Sequence, residues 1–218
     1  KNNKLELLWT SVPAVVLTAL IIYGLNTWNN TMNPDTSEAR IVEVYAQQFN
    51  WTARYAGEDN QLGRAHYTLI GGVNTLGVDV NDTLSNDDII VREIHLPVGE
   101  QVLMKFRSQD VIHSAYLPHF NVQMNCVPGM NTQFAFTPTK TTEEMRKDPE
   151  IIQKMKVVNE ARAKRGDAPV EFDFVLLCNK ICGSAHYNMQ IKVIIETKEE
   201  YNAWLREQQN FESLVSAQ

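Results

Sequence analysis

Residues 171–196 read EFDFVLLCNKICGSAHYNMQIKVIIE, and this stretch decides how the rest of the chain folds around it. At its two ends, Phe172-Asp173-Phe174-Val175-Leu176 and Gln190-Ile191-Lys192-Val193-Ile194 alternate apolar and polar side chains. That period of two predicts half-buried strands with one wet face. Between them, Cys178, Cys182, His186 and Met189 put two thiols, an imidazole and a thioether on one connecting loop. Thiolate and thioether sulfur favour soft metals such as copper, and a Cys/His set with a weak axial Met is a ligand choice of copper electron-transfer sites. One more imidazole is needed, and His113, in Asp110-Val111-Ile112-His113-Ser114, is the candidate to bring it from a separate loop. A single Cys would read as a mononuclear site; a second thiolate four residues away lets two sulfurs bridge two metals.

Other chemistries fit parts of this set. Cys178 and Cys182 can form a disulfide in an oxidising compartment, but three cysteines are an odd number for disulfides alone. Zinc accepts a Cys/Cys/His/His set but is poorly served by Met. Haem attachment of the c type needs Cys-x-x-Cys-His, which Cys182-x3-His186 does not supply. Ligand softness favours copper. His119 is a rival to His113, although Pro118 and Phe120 beside it suggest an apolar surface loop; His66 and His95 read as incidental. Cys126 reads as a buried free thiol, since free Cys behaves as a small hydrophobe.

Runs rich in β-branched and aromatic residues predict further strands over 40–49, 89–96, 101–107 and 133–137, besides 171–178 and 190–196. Many short strands with turns between them predict an antiparallel sandwich or barrel, mainly β, with the metal segment on the loop between the last two strands. Residues 56–88, rich in Gly, Asn and Asp, read as a long surface loop with an acidic end at Asp79, Asp82, Asp87 and Asp88. A helical insertion is expected at about 141–166. There Thr141-x-x-Glu144 reads as a capping box, Asp148-Pro149 as a second helix start and Gly166 as the stop. A last helix begins at Thr197-x-x-Glu200, with Tyr201, Trp204 and Leu205 turned inward.

Near the N-terminus, residues 5–25 (LELLWTSVPAVVLTALIIYGL) are apolar apart from Glu6 and a few hydroxyls. As a helix they reach roughly 30 Å, one bilayer core. The run is long for a cleaved leader, and no small-residue cleavage site follows it. Lys1 and Lys4 precede it while Asp35 and Glu38 follow, which places the short N-terminus in the cytoplasm and everything after Trp28 outside. The expected organisation is a transmembrane helix over 1–28, a linker over 29–39, a β domain over 40–197 and a C-terminal helix and tail over 198–218. The 218 residues suffice for one anchor and one domain of about 150 residues. A net charge of −6 speaks against nucleic acid and leaves room for a basic protein partner.

The chain resembles subunit II of haem-copper cytochrome c oxidase over most of its length. Leu5-Glu6-Leu7-Leu8-Trp9-Thr10-Ser11-Val12-Pro13 is similar to the start of that family's second transmembrane helix, so the family's first helix is expected to precede the present N-terminus. Gln48-Phe49-Asn50-Trp51 is similar to its aromatic strand, and Asp110–Ser114 to its first copper-ligand segment. Val127-Pro128-Gly129 is similar to its loop facing subunit I, and Cys178–Met189 to its copper loop. The last match, with His113, is the specific one.

The resemblance implies a cupredoxin-like Greek-key sandwich anchored in a bacterial inner membrane, with a mitochondrial inner membrane as the alternative. It implies a binuclear copper centre (CuA), bridged by Cys178 and Cys182, with His113 and His186 each on one copper. Met189 and the main-chain carbonyl of Lys180 would be weak axial ligands. Electrons would come from a cytochrome c, or a fused or membrane-bound cytochrome c domain, and pass to haem in subunit I. That subunit, with haem and a further copper, reduces oxygen to water coupled to proton pumping. Subunit III and membrane lipid are further implied partners. Glu6 is similar to the residue at the mouth of a proton pathway into subunit I, and an acid near a membrane boundary is a functional suspect.

Two departures carry consequences. Where the family commonly has a Glu and an Asp near a magnesium ion at the subunit I junction, this chain has Lys180 and Asn125. A magnesium site is therefore expected to be altered, absent or completed by another subunit. Where the family has the Trp through which electrons arrive, this chain has Phe49, which can still form an apolar contact. Two other classes fit the outline: a copper-free quinol oxidase subunit, and a structural or copper-delivery protein with the same β fold.

Overall fold

The computed structural model describes residues 2–216 and divides into two units, Lys1–Ser37 and Glu38–Gln218. Lys1 and the last two residues of the expected tail lie outside the described residues.

The first unit is one helix, α1 (Asn3–Met32). The Asn2 side chain caps it by accepting from the Leu5 N–H at 3.3 Å. Its 30 residues reach about 45 Å. A mean hydropathy of 2.0 over its best window makes it long and apolar enough to cross a bilayer. It runs through 29–32, which the sequence reads as linker. Hydroxyls near this end bond back to the helix itself: Thr27 and Thr31 donate to the Tyr23 and Thr27 carbonyls at 3.0 and 2.9 Å. Asn33 donates to the Asn29 carbonyl at 2.9 Å.

The second unit is a sandwich of two five-stranded sheets. Its strands are β1 (Arg40–Gln47), β2 (Asn50–Tyr55), β3 (Ile89–Val91), β4 (Ile94–Pro97), β5 (Val102–Ser108), β6 (His113–Leu117), β7 (Val122–Cys126), β8 (Thr132–Phe136), β9 (Phe174–Cys178) and β10 (Gln190–Glu196). One sheet is ordered β3-β2-β1-β5-β8 and the other β4-β10-β9-β6-β7. Val44, Met104 and Phe106 from the first meet Leu96, Leu176 and Val193 from the second in one core. The pairings β1 with β5 and β4 with β10 are parallel, against the antiparallel expectation. Long connections join these strands, so no hairpin dictates their sense.

The expected strand over 89–96 breaks at Arg92-Glu93, and its halves join different sheets: β3 pairs with β2, β4 with β10. Such a strand turns a corner of the sandwich. The helical excursion is two helices, α2 (Thr142–Arg146) with its Thr141/Glu144 capping box, and α3 (Pro149–Ala163) capped by Asp148. Two more helices follow, α4 (Lys198–Glu207) and α5 (Phe211–Ser216). The 56–88 segment is not only surface loop. Leu76 and Val78 are buried with Tyr45 and Phe211, and Asp88, expected at an acidic surface end, is buried beside Arg54.

Period-two burial sets up one end of this sandwich. On β6 His113 shares the inward phase with Ala115 and Leu117, and on β9 Cys178 shares it with Phe174 and Leu176. The two strands are paired, with Ala115 opposite Cys178.

Candidate metal centre

The loop after β9 is tied at both ends. Cys178 N–H donates to the Met189 carbonyl at 3.0 Å, and Asn179 N–H to the Ser114 carbonyl at 2.9 Å. A 3-10 turn at His186–Asn188 then brings Met189 back to the core, where it is buried. The described side chains at this end are a set of soft donors. Cys178 Sγ and Cys182 Sγ are free thiols 3.8 Å apart, far beyond the about 2.05 Å of a disulfide. His113 Nδ1 lies 3.7 Å from Cys178 Sγ, and His186 Nδ1 lies 3.6 Å from Cys182 Sγ. Met189 Sδ is 3.7 Å from Cys182 Sγ, and the Lys180 carbonyl oxygen is 3.2 Å from Cys178 Sγ.

This spacing suits donors converging on metal. Two thiolates bound to one ion at about 2.3 Å and a tetrahedral angle lie about 3.8 Å apart. Donor atoms of His113, Cys178 and Cys182 all lie within 4.8 Å of one another. His186 and Met189 stand at the Cys182 side, and His113 and the Lys180 carbonyl at the Cys178 side. Each sulfur thus has its own imidazole. Sulfur, imidazole nitrogen and thioether together fit copper.

The electrostatics fit a ligand set that exchanges protons for metal. Burial, and next the hydrogen bond with the Cys178 sulfur beside it, pushes the Cys182 thiol up to about 11. At neutral pH that thiol keeps its proton until a metal displaces it. Cys126, paired across from His113 in β7, is a buried free thiol pushed up to about 12 by burial. His113 is 0% exposed, while Ile181 and Tyr187, on the outer side of the loop, are 85% and 89% exposed.

Three supporting residues carried no assigned role in the sequence. His113 Nε2 lies 2.9 Å from Asp110 Oδ1. That contact fixes which ring nitrogen is left for a metal. Burial alone would raise the Asp110 carboxyl, but hydrogen bonds from the Gln48 amide, His113 and the Val111 amide outweigh it and hold it low. Trp51 Nε1–H donates to the Met189 carbonyl at 3.4 Å, and its ring meets His113 edge-on at 6.1 Å. The Gln48 side-chain amide donates to the Cys182 carbonyl. The signal for Asp110 was its place three residues before His113; Gln48 and Trp51 flank the aromatic turn that holds Phe49.

Comparison with known proteins gives the family of the chain. Residues 41–151 match the family described as cytochrome C oxidase subunit II, periplasmic domain. The alternative cytochrome c oxidase subunit 2 of Bradyrhizobium diazoefficiens is 33% identical, over 98% of this chain and 67% of that protein. The chain belongs to the cytochrome c oxidase subunit II family. Cytochrome c oxidase subunit 2 of Thermostichus vulcanus is 27% identical, over 95% of this chain and 61% of that one. The periplasmic domain of subunit II of cytochrome oxidase of Bradyrhizobium japonicum is similar in structure at a TM-score of 0.48 and 19% identity, covering 79% of this chain and 95% of that one. The chain spans about two thirds of the length of the curated relatives it matches, or somewhat less. Members of the subunit II family are subunits of an oxidoreductase complex.

The remaining residues singled out from the sequence fall into place in this subunit II chain as follows. Phe49 is half-buried, its ring against Gly183 of the ligand loop. Lys180 is exposed, with only its carbonyl directed at the sulfurs. Asn125 is exposed, and its carbonyl accepts from the Thr132 hydroxyl at 2.6 Å. Glu6 lies in the first turn of α1, in the other unit. His119 is not in the donor set; its ring stands edge-on to Phe172 and Phe174. His66 caps a 3-10 turn through Thr68, and His95 stacks on Trp204.

Proposed function

We propose that this chain is the electron-accepting subunit of a membrane-bound cytochrome c oxidase. It takes electrons from a cytochrome c at a binuclear copper centre (CuA) and passes them to haem in subunit I, where oxygen is reduced to water with proton pumping. The observation that carries this reading is the pair of free thiols 3.8 Å apart, each with its own imidazole. Cys178, Cys182, His113 and His186 would hold the two coppers, with Met189 and the Lys180 carbonyl as weaker donors. When bound, the copper pair supplies a one-electron couple whose charge is spread over both metals.

The chain's own residues do the rest. A buried set tied by the Cys178–Met189 and Asn179–Ser114 backbone bonds keeps its geometry as charge changes, which favours fast transfer. Asp110 orients His113 and leaves Nδ1 free to bind. Phe49, in contact with Gly183 next to Cys182, gives an arriving electron a short apolar route to the loop. Helix α1 would anchor the chain in a bacterial inner membrane beside subunits I and III and lipid, with the β unit on the periplasmic side. Glu6 would stand at a proton pathway mouth. With Lys180 and Asn125 in place of acids, magnesium forms no part of the proposal.

The test is stopped-flow mixing of the copper-loaded full chain in detergent with a reduced cytochrome c. The expected result is oxidation of the cytochrome with matching loss of the copper absorption, slowed by salt and abolished in Cys182→Ser. Copper held tightly but not reduced by any cytochrome c would contradict the reading.

A further inference from the structure

The turn between β1 and β2 carries no metal donor, yet it grips the ligand cluster at several points. The Gln48 N–H donates to Asp110 Oδ2 at 2.7 Å. The other oxygen of that carboxylate lies 2.9 Å from His113 Nε2. The Gln48 side-chain amide donates to the Cys182 carbonyl. Next along the loop, Gly183 lies under the Phe49 ring and the Gln48 side chain. A Cβ there would stand 2.8 Å from the ring and 2.9 Å from the Gln48 amide nitrogen. Gln48 is therefore bonded at once to partners 62 and 134 residues away, one behind an imidazole and one on a thiol-bearing residue.

The loop needs such a tether where Gln48 supplies it. Gly183 has a φ of +145°, a conformation that glycine alone adopts without strain. A glycine joint beside Cys182 is the least restrained point of the ligand loop by intrinsic backbone preference. The carbonyl just before that joint is the one Gln48 holds. Fixing it fixes the direction in which the Cys182 Cα–Cβ bond presents its sulfur.

We propose that Gln48 is a positioning residue for the metal centre, its side-chain amide locking the Cys182 peptide against the Asp110–His113 pair. This rests on the metal reading given above. Gln48 is itself exposed, so its side chain can be changed without opening the core, and its backbone bond to Asp110 survives every substitution except proline.

The experiment compares the full chain in detergent with Gln48→Leu, Gln48→Glu and Gln48→Lys variants, each loaded with copper and then challenged with an excess of chelator. Removing a residue that supports a metal ligand typically weakens metal binding about 10- to 100-fold. Leu and Glu, which cannot donate, are expected to lose copper faster by a factor in that range, with an altered copper hyperfine pattern. Lys, which keeps a donor nitrogen, is expected to recover much of the retention. The metal-free variants are expected to unfold at the wild-type temperature. Wild-type release rates and spectra in Leu and Glu would overturn the proposal, as would an equal loss of stability without metal. Failure of the wild-type chain itself to take up copper would overturn the metal reading, and this inference with it.

Discussion

His113 Nε2 sits 2.9 Å from Asp110 Oδ1 while its Nδ1 sits 3.7 Å from the Cys178 sulfur, so a carboxylate stands behind the imidazole on the side away from the thiols. Such a pair selects the tautomer and turns the ring toward the metal. Asp110→Ala is expected to weaken copper retention about 10- to 100-fold, read by chelator competition, with secondary structure unchanged. Asp110→Asn, which can still accept a bond, is expected to lose less. Equal retention in wild type and Asp110→Ala would remove the carboxylate from the site's support.

Gly183 and Phe49 share one space. Gly183→Ala would put a Cβ 2.8 Å from the Phe49 ring at a backbone angle unfavourable to alanine. The expected destabilisation is about 1–3 kcal/mol, the range for inserting atoms into filled space, measured by denaturant unfolding of the metal-free chain. Adding Phe49→Ala is expected to relieve part of it. Strict additivity in that double-mutant cycle would show that the two residues do not collide.

Far from the sulfurs, Arg54 is buried between two carboxylates. It bonds Asp88, reaches Glu43 at 3.5 Å and donates to the Gly63 carbonyl at 2.6 Å. Truncating one partner of a buried ion pair leaves an uncompensated charge and costs about 3–5 kcal/mol, the loss expected for Arg54→Met at pH 8. Burial already pushes Asp88 up to about 6 despite the guanidinium beside it. Its folded pKa lies above its unfolded one, so protonation favours the folded chain. Without the guanidinium Asp88 takes its proton at a higher pH than in the wild type, so the cost of Arg54→Met is expected to shrink as pH falls toward about 6 and to level off below it. A cost independent of pH would contradict this.

A second pH effect comes from His119. Partial burial, and next the Lys154 charge, lower its pKa below the usual imidazole value. A depressed base contributes stability above its unfolded pKa of about 6.5, lost as pH falls through the folded value. The wild-type chain is expected to lose stability on acidification below pH 6.5. In His119→Phe, with the ring contacts to Phe172 and Phe174 kept, that part of the slope should vanish. Matching unfolding profiles for the two chains would exclude His119 as its source.

The donor loop was legible because it is local: Cys178, Cys182, His186 and Met189 fall within twelve residues, and the flanking strands declare their period. His113 was legible as an imidazole without another task, and the Thr141, Asp148 and Thr197 caps of α2, α3 and α4 were visible in their own side chains. Strands β2, β6 and β7 were not, since Asn50, Arg54, Ser114 and Asn125 break the look of a strand and only their neighbours in the sheets justify them. Asp88 looked like a surface charge because Arg54, the partner that accompanies its burial, lies 34 residues away. The grip of Gln48 on Cys182 spans 134 residues, which no local pattern discloses.

The most direct test of the account is the copper content of the full chain in detergent together with its electron paramagnetic resonance spectrum. Two coppers per chain, with one unpaired electron split by both nuclei and lost in Cys178→Ser or Cys182→Ser, are the predicted result. No tightly held copper, or one copper per chain with the two cysteines joined as a disulfide, would contradict it.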